Sequence, residues 1–450
     1  MSLRLIQGGR DDASETGLLI EGAAEIVTMA GGLRRGPAQA DPAVLVAGAG
    51  AEGGMAVASW QGRIVAAGTR EAVEAEARAQ SLPVERFTRF DARGGTVTPG
   101  LIDPHTHLLF AGSRENEFRL RQQGAGYLEI LAAGGGILST VAATRAASDD
   151  DLLAHGRRWL TEMLGHGVTT VEAKSGYGLD VATELRLLEV AGRLDEDGPV
   201  SVVPTFLGAH AVPAEYRGRP DGTEAYVASI VDQQLPAVAA QGRARSCDVF
   251  CERGVFSVEQ SRRILEAGLL HGLEPRLHAD ELAPSGGAEL AAELGARSAD
   301  HLAAPSRAGI AALAAAAAGD RPVVATLLPA TSWTLMADHY APARLLIERG
   351  VPVALATDFN PGTCPSPNLP LVLTVACLEL KLTAAEALAA VTVNAAHALG
   401  LGDEVGSIEP GKVADLVVWR VPTYAQIPYW AGADLVAAVV KAGRRVLVRG

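Results

Sequence analysis

The chain has 450 residues, which is enough for a barrel of eight β/α units together with a smaller domain. Hydrophobic residues make up 48% and charged residues 20%, so a large core is expected and a globally disordered chain is excluded. The formal net charge of −13 argues against a nucleic-acid partner, and we find neither an apolar run of membrane-spanning length nor a signal-peptide region.

Residues 1 to about 96 are rich in glycine and predict short strands joined by turns. The strand-like segments are 24–29, 53–60 and 63–68. The Gly-, Pro- and Ala-rich stretch at 31–41 predicts a loop, and residues 69–80 predict a short helix.

From Thr98 onward the pattern changes to strands that alternate with helices, which is typical of a parallel sheet with helical crossovers. The eight candidate strands are 97–103, 168–174, 200–208, 246–252, 275–278, 297–301, 322–328 and 351–357. Eight β/α units over this length predict a barrel.

Three helices have clear start signals. The helix at 149–165 begins after Ser148 with acidic residues in its first turn and has one apolar face. Ser257 with Gln260, and Thr383 with Glu386, resemble capping boxes that open helices at 257–268 and 383–399.

The link at 108–167 is unusually long and contains three consecutive glycines, residues 134–136. A phosphate-binding loop would require a Lys-Ser/Thr pair after the glycines, and none follows. We therefore interpret the link as a mobile loop over the mouth of the barrel.

After about residue 403 the chain returns to short strands, at 414–419, 436–441 and 445–448. Neither end of the chain predicts a stable domain alone. We expect residues 1–96 and 403–450 to form one composite small β-sandwich domain beside a (β/α)8 TIM-like barrel at 97–402, which is an α/β architecture.

Polar side chains follow the predicted strands where each strand ends. In a barrel the C-terminal ends of the strands meet at one mouth, so these side chains are expected to lie together. They include His105, His107, Glu172, Lys174, His210, Glu252, His278, Asp280, Glu281, Asp300, His301, Asp358 and Asn360.

The pattern predicts a divalent metal ion held by His105, His107, His278 and Asp358. Positions 105 and 107 are two apart, so their side chains project to one side of an extended chain. Three imidazoles and one carboxylate suit Zn or Fe, and they leave room for a water that the ion activates as the nucleophile.

The neighbouring polar residues predict proton-transfer roles. Asp358 is a candidate to accept the proton of the attacking water, and His301 is a candidate to orient that water. Glu281 is a candidate proton shuttle to a leaving nitrogen. Lys174 is interpreted as an ion-pairing residue rather than a bridge between two metals, because His210 is the only obvious spare ligand.

Two further residues predict a substrate that carries a carboxylate. Arg114 follows the first strand by a short loop, and arginine contacts carboxylates through two parallel hydrogen bonds. Tyr177, in a Gly-flanked turn at the mouth, offers a hydroxyl group and a ring face.

The four cysteines form no CxxC pair. We expect buried free thiols in a reducing cytoplasm rather than a cysteine zinc site.

With these residues in place, the chain resembles the amidohydrolase superfamily and, within it, the imidazolonepropionase family. The resemblance covers 98–399, and the ending Gly411-Lys-Val-Ala-Asp-Leu-Val also resembles the closing β segment of the superfamily. The similar segments are DPHTHLLFAGSRENEF, AAGGGILSTVAATR, EAKSGYGLD, TFLGAHAVP, DVFCERGVFS, LHADEL, LLPATSW and ATDFNPGTCPSPNLPLV.

The resemblance implies hydrolysis of the ring amide of 4-imidazolone-5-propanoate to N-formimidoyl-L-glutamate in histidine degradation. It implies one Zn or Fe ion per subunit at the four ligands named above, and a homodimer. It also implies that the substrate is bound by Arg114, Tyr177, His210, Glu281, Asn360, Gly362 and Thr363, with His301 beside the reacting amide.

Two alternative functions predict that different residues of the site are retained. Another hydrolase of this fold, acting on a different cyclic amide or on a heterocyclic amine, would keep the metal ligands but would not need Arg114, Tyr177 and the GAHA segment. A non-enzymatic relative would be expected to lack one or more ligands, and none is missing.

Overall fold

The computed structural model describes residues 3–5, 17–46, 54–124, 135–319 and 321–449. Within the predicted loop at 108–167, the structure describes three helices, Glu115–Gln122, Ile137–Ala146 and Asp149–Gly165, so the interpretation of the whole link as a loop is wrong. Residues 125–134, which include Gly134, lie outside the described residues. The described strands are β1 (Leu3–Leu5), β2 (Gly17–Ala23), β3 (Glu25–Val27), β4 (Val44–Val46), β5 (Met55–Trp60), β6 (Arg63–Thr69), β7 (Thr88–Asp91), β8 (Thr96–Pro99), β9 (Leu101–Asp103), β10 (Val168–Lys174), β11 (Ser201–Ala209), β12 (Ser246–Cys251), β13 (Glu274–Ala279), β14 (Ser298–His301), β15 (Val324–Leu327), β16 (Val353–Leu355), β17 (Leu416–Trp419), β18 (Val436–Lys441) and β19 (Arg444–Arg449).

Strands β9 to β16 form one parallel sheet in chain order. Most residues of these strands are buried on both faces, as in parallel strands that are covered by helices. Beyond the last strand, Thr106 pairs in parallel with Phe359, and Asp358 N donates to His105 O at 3.0 Å. The sheet therefore closes at its C-terminal end, and the predicted (β/α)8 barrel is confirmed.

The described helices follow the strands and cover the barrel. The predicted capping boxes at Ser257 and Thr383 are present, and a third joins Ser148 to Asp151. The α-helices are Arg70–Ala79, Glu115–Gln122, Ile137–Ala146, Asp149–Gly165, Val181–Asp197, Gly222–Ser229, Leu235–Gln241, Val258–Leu270, Gly287–Leu294, Arg307–Ala317, Pro329–Thr334, Ala343–Glu348, Leu369–Glu379, Ala384–Ala390, Val393–Ala398 and Gln426–Tyr429.

The prediction of one helix at 383–399 is wrong, because the chain breaks at Thr392 into two short helices. Thr392 has φ −127° and ψ −98°, which is not helical. The break frees the carbonyl of Val391 to accept a hydrogen bond from Ile102 of β9 at 2.8 Å. A continuous helix would use that carbonyl internally. The predicted loop at 31–41 likewise contains a short 3-10 helix, Gly36–Ala40.

The two ends of the chain form two further sheets, of which the seven-stranded one contains strands from both ends and the four-stranded one only strands from residues 17–91. The seven-stranded sheet has the order β1-β19-β18-β17-β8-β3-β4, and the four-stranded sheet has the order β6-β5-β2-β7. Apolar residues from both sheets pack into one core, which includes Ile20, Val57, Val97, Val418 and Val440. The domain boundaries at 96 and 402 remain predictions.

The prediction of a single strand at 97–103 is wrong. Strand β8 belongs to the seven-stranded sheet, where it pairs with β17, and only β9 belongs to the barrel. Gly100 separates the two strands, and a Cβ atom there would lie 2.2 Å from Thr169 Oγ1. The close approach of this backbone to β10 requires glycine and directs the chain from one sheet into the other.

Among the described residues, none of the helices combines the length and the apolar character that crossing a membrane requires.

Candidate metal centre and active site

Four donor atoms converge at the C-terminal end of the barrel. His105 and His107 follow β9, His278 lies in β13, and Asp358 follows β16. Asp358 Oδ1 is 3.6 Å from His105 Nε2 and 3.5 Å from His107 Nε2. His107 Nε2 is 3.4 Å from His278 Nε2. The barrel thus brings together residues that are up to 253 positions apart in sequence, and all four are buried.

These residues fit a metal ion. Nitrogen ligands lie about 2.0–2.1 Å from zinc, so two ligands of a tetrahedral site are roughly 3.4 Å apart. The measured distances between the donor atoms are close to that separation. His105 Nε2 is also a buried nitrogen without a hydrogen-bond partner among the described residues. A buried polar atom left unpaired is costly, and a bound cation would satisfy it.

Two aspartates orient two of the histidine ligands. His105 Nδ1 donates to Asp300 Oδ2 at 2.7 Å, and His278 Nδ1 lies 3.1 Å from Asp248 Oδ2. A carboxylate that accepts a hydrogen bond from Nδ1–H keeps the proton on Nδ1 and leaves the lone pair on Nε2, where a metal can bind. Burial also lowers the pKa of His105 and His107 well below its usual value. Both rings are therefore neutral, as ligands must be.

A fully buried ion-pair network lies behind these aspartates. Lys174 Nζ is 2.6 Å from Asp248, 2.9 Å from Glu172 and 3.5 Å from Asp300. Arg276 adds a second cation, with Nε 3.0 Å from Glu172 and Nη2 3.4 Å from Asp300. Lys174 is thus surrounded by carboxylates, in agreement with its predicted ion-pairing role.

The candidate proton-transfer residues lie beside the donor cluster. Thr331 Oγ1 donates to Asp358 Oδ2 at 2.7 Å. Glu281 Oε2 is 3.6 Å from His301 Nε2, a buried nitrogen without a hydrogen-bond partner in the described structure. Burial, with the negative charge of Asp358 as a smaller cause, raises the pKa of Glu281 to about 8. Burial lowers the pKa of His301 well below its usual value, so His301 is neutral.

Asp358 and His301 share an uncommon backbone conformation. Their φ angles are +55° and +72°, in the left-handed region that non-glycine residues rarely adopt. Such conformations are found at functional sites, where the surrounding structure enforces them.

The donor cluster lies at the inner end of a cavity of about 1210 Å³. Several of the predicted substrate-binding residues line this cavity, namely Arg114, Tyr177, His210, Glu281, Asn360 and Thr363. The cavity wall contains Arg114, Arg121, Arg217, Arg219 and Arg253, although the protein as a whole is acidic. Such a wall favours an anionic ligand.

Part of the Arg114 guanidinium group is already hydrogen-bonded to Glu117. Its Nε and Nη2 atoms donate to the two oxygens of Glu117 at 2.8 and 2.7 Å. The guanidinium lies directly over Gly362, where a Cβ atom would be 2.1 Å from Nη1. Gly362 is therefore beside Arg114 but does not itself line the cavity.

Tyr177 and His210 form an aromatic wall next to His107. The His210 ring stacks on His107 with centroids 4.8 Å apart, and Tyr177 lies 5.3 Å from His210. His210 Nδ1 is 3.0 Å from the carbonyl oxygen of Gly176, which can only accept, so we assign the proton to Nδ1. Burial lowers the pKa of His210 to about 3, and the lone pair is then on Nε2.

The loop after Asp358 is held by Asn360. Its Oδ1 accepts from the backbone N–H groups of Gly362 and Thr363, both at 2.8 Å. Its Nδ2 donates to Asp358 O and to Thr363 Oγ1, both at 2.7 Å. The polar atoms of the Asn360 side chain are thus used within the loop itself, so Asn360 shapes the cavity wall.

Sequence reasoning assigned no role to Asp248, Arg276, Thr331 or Glu117. Asp248 is the single charged residue of β12, and Arg276 lies between Glu274 and His278 in the buried strand β13. That signal was available, because a charge in a buried strand must be paired. Thr331 carries no comparable signal, because its partner Asp358 is 27 positions away, and Glu117, three residues after Arg114, resembles an ordinary surface ion pair on a helix.

Solved structures with this architecture include enzymes of several kinds, one of them with bound zinc. A zinc-bound adenosine deaminase from Xanthomonas campestris has a TM-score of 0.65 and 21% identity, with 96% of this chain and 94% of that chain covered. The guanine deaminase of E. coli has a TM-score of 0.68 and 17% identity, with 96% and 99% covered. At these identities the likeness shows the fold alone.

Fold and donor set together define a metal-dependent hydrolase. The model of the amidohydrolase family matches residues 274–446. Imidazolonepropionase of Geobacillus kaustophilus is 55% identical over 360 residues, which cover 80% of this chain and 83% of that protein. Imidazolonepropionase of Symbiobacterium thermophilum is 51% identical over 434 residues, which cover 96% and 98%. The chain belongs to the imidazolonepropionase family.

Proposed function

We propose that the chain hydrolyses the ring amide C–N bond of 4-imidazolone-5-propanoate to give N-formimidoyl-L-glutamate, a step of L-histidine degradation. The observation that carries the proposal is the convergence of four donor atoms at the inner end of a cavity with an arginine-rich wall. Membership of the imidazolonepropionase family supports this choice over a different cyclic amide or a heterocyclic amine.

His105, His107, His278 and Asp358 would hold one Zn²⁺ or Fe ion per subunit. When bound, it supplies Lewis acidity and lowers the pKa of water at the site. Lys174 supports a single ion rather than two. Its ammonium is already ion-paired with the three carboxylates behind the histidines, so these carboxylates are not free to bind a second metal.

Three side chains move or direct protons during the hydrolysis. Asp358 accepts a proton from the attacking water, and His301, which is neutral, orients that water through Nε2. The ring C–N bond breaks, the water oxygen remains on the former carbonyl carbon, and the leaving nitrogen takes a proton from Glu281. The raised pKa of Glu281 supports this role, because the carboxyl group is protonated at neutral pH.

The opposite side of the cavity recognises the substrate. Arg114 binds the propanoate carboxylate, with the Tyr177 hydroxyl beside it. His210 Nε2 accepts a hydrogen bond from a ring N–H, which the tautomer inferred from Gly176 permits. The loop of Asn360, Gly362 and Thr363 completes the wall and supports the Arg114 guanidinium.

The family resemblance also supports a homodimer in the cytoplasm. The four cysteines are free thiols, which agrees with a reducing compartment.

A substrate-comparison assay tests this function. Freshly generated 4-imidazolone-5-propanoate is compared with a 4-imidazolone that lacks the propanoate, and formation of the ring-opened product is followed. We expect N-formimidoyl-L-glutamate from the first compound and a kcat/KM lower by about 10-fold or more for the second, because a charge-assisted contact is lost. A metal-loaded protein that opens neither ring would overturn the proposal.

A further inference from the structure

Glu117 is a buried carboxylate in the cavity wall that the proposed reaction does not use. It lies in the first turn of helix Glu115–Gln122, which begins directly after Arg114, and the Glu117 side chain is 6% exposed. Its two oxygens accept from Arg114 Nε at 2.8 Å and Arg114 Nη2 at 2.7 Å. Oε1 also accepts from the backbone N–H of Gly136 at 2.7 Å. Glu117 is therefore fixed from two sides.

This pairing decides which part of Arg114 remains available. A guanidinium has five N–H donors, and carboxylates bind it along a side edge formed by Nε and one terminal nitrogen, or along the end edge formed by both terminal nitrogens. Glu117 occupies the side edge. Two N–H groups of Nη1 and one of Nη2 remain, and one from each terminal nitrogen together form the end edge.

The packing around the guanidinium removes most of its remaining freedom. The guanidinium of Arg114 lies against Gly362, which has no side chain. The Arg114 side chain is 13% exposed. Arg121 lies on the same wall and donates to Gly362 O at 2.9 Å. One carboxylate between two arginines leaves this part of the cavity with a net positive charge, so it can still accept an anion.

We propose that Glu117 is a positioning residue for substrate recognition, which holds the guanidinium of Arg114 by its side edge so that its end edge receives the carboxylate of the substrate. This inference rests on the proposed function, in which Arg114 binds the propanoate. The alternative is that Glu117 competes with the substrate for Arg114, and the two possibilities predict opposite changes in KM.

The first test is the isosteric variant Glu117→Gln, measured as steady-state hydrolysis of 4-imidazolone-5-propanoate by the metal-loaded enzyme. Glutamine keeps the shape and one acceptor for Gly136, but it loses the charge and one of the two acceptors for Arg114. We expect KM to rise on the order of tenfold, because a misplaced binding group costs up to about 100-fold. We expect kcat to change less than about twofold, since Glu117 does not contact the metal ligands.

A matched control is available on the same helix. Glu115 is exposed, lies in the same turn, and contacts Ser113 rather than Arg114. The Glu115→Gln variant should leave KM and kcat unchanged. A second measure is the conservative variant Glu117→Asp, which keeps the charge and should recover part of the lost affinity.

A double-mutant cycle with Arg114→Ala distinguishes positioning from a general structural role. If Glu117 acts through Arg114, Glu117→Gln raises KM in the wild-type background and has no further effect in the Arg114→Ala background. Equal effects in both backgrounds would overturn the proposal, and so would a lower KM in Glu117→Gln alone.

The cycle also separates this proposal from the proposed function. A large increase of KM in Arg114→Ala with none in Glu117→Gln would overturn only the role of Glu117. An unchanged KM in Arg114→Ala would overturn the carboxylate-binding role of Arg114 as well. Absence of N-formimidoyl-L-glutamate with any variant and with the wild type would overturn the proposed function itself.

Discussion

Gly362 is the position at which the smallest substitution tests the placement of Arg114. A Cβ atom on Gly362 would lie 2.1 Å from Arg114 Nη1 and 2.4 Å from Cζ. Ordinary contacts of this kind are 3.4–4 Å long, so the guanidinium of a Gly362→Ala protein must move by more than about 1 Å. The guanidinium is the far end of a flexible side chain, and the φ angle of Gly362 is not in the left-handed region, so the protein is expected to fold normally.

The expected effect falls on substrate binding. A displacement of about 1 Å in a binding group costs roughly 10- to 100-fold, so KM should rise by that factor, which corresponds to about 1.4–2.8 kcal/mol. The three atoms nearest to the new methyl group all belong to Arg114, and none belongs to the ligands His105, His107, His278 and Asp358. Consequently kcat and the metal content should stay close to the wild-type values.

Steady-state kinetics on the metal-loaded protein measure this effect, and Gly68→Ala provides a control. Gly68 lies in β6, and a Cβ atom there would meet its nearest neighbours at 3.9 Å. The control should therefore match the wild type. A Gly362→Ala protein whose KM is within twofold of the wild type would refute the placement of Arg114 as the carboxylate-binding group.

Three further substitutions test other parts of the site. Glu281→Gln should lower kcat while metal stays bound. Burial raises the pKa of Glu281 to about 8, so the kcat of the wild type should fall as pH rises through 8. A Glu281→Gln variant that keeps this fall would contradict the role of Glu281 as the acid. Asp358→Ala should abolish turnover and reduce the metal content measured by mass spectrometry, whereas turnover with full metal loading would remove it from the ligand set. Lys174→Met leaves the buried carboxylates of Glu172, Asp248 and Asp300 with too few positive charges. Urea denaturation should therefore show a free energy of unfolding lower by about 3–5 kcal/mol, and a decrease below about 1 kcal/mol would contradict the stabilising role of Lys174.

The barrel was predictable from the sequence because its signals are local. A strand of apolar residues, a capping residue such as Ser148 or Ser257, and an amphipathic helix are each encoded within a few positions. The polar residues at the strand ends could be assigned to one end of the barrel, because the C-terminal ends of all its parallel strands lie there. The clustering of His105, His107, His278 and Asp358 followed from that topology alone.

The features that escaped prediction depend on contacts between distant segments. The apolar pattern runs from β8 into β9 with only Gly100 between them, and the division appears only because β8 pairs with β17, which lies more than 300 residues later. The helix break at Thr392 likewise depends on β9, which takes the carbonyl of Val391.

Glu117 shows the same limit within the active site. Its spacing of three from Arg114 looks like an ordinary surface pair on a helix. Its surroundings come from two other segments, because Gly136 N donates to Glu117 and Gly362 lies against the guanidinium of Arg114.

The central claim is that one metal ion at this donor cluster is required for hydrolysis of 4-imidazolone-5-propanoate. The most direct test is formation of N-formimidoyl-L-glutamate by the enzyme as purified, after removal of metal with a chelator, and after addition of Zn or Fe in measured equivalents. We predict that activity is lost on removal and restored by one equivalent of metal. Full activity in the metal-free protein, or restoration only after a second equivalent, would contradict the account.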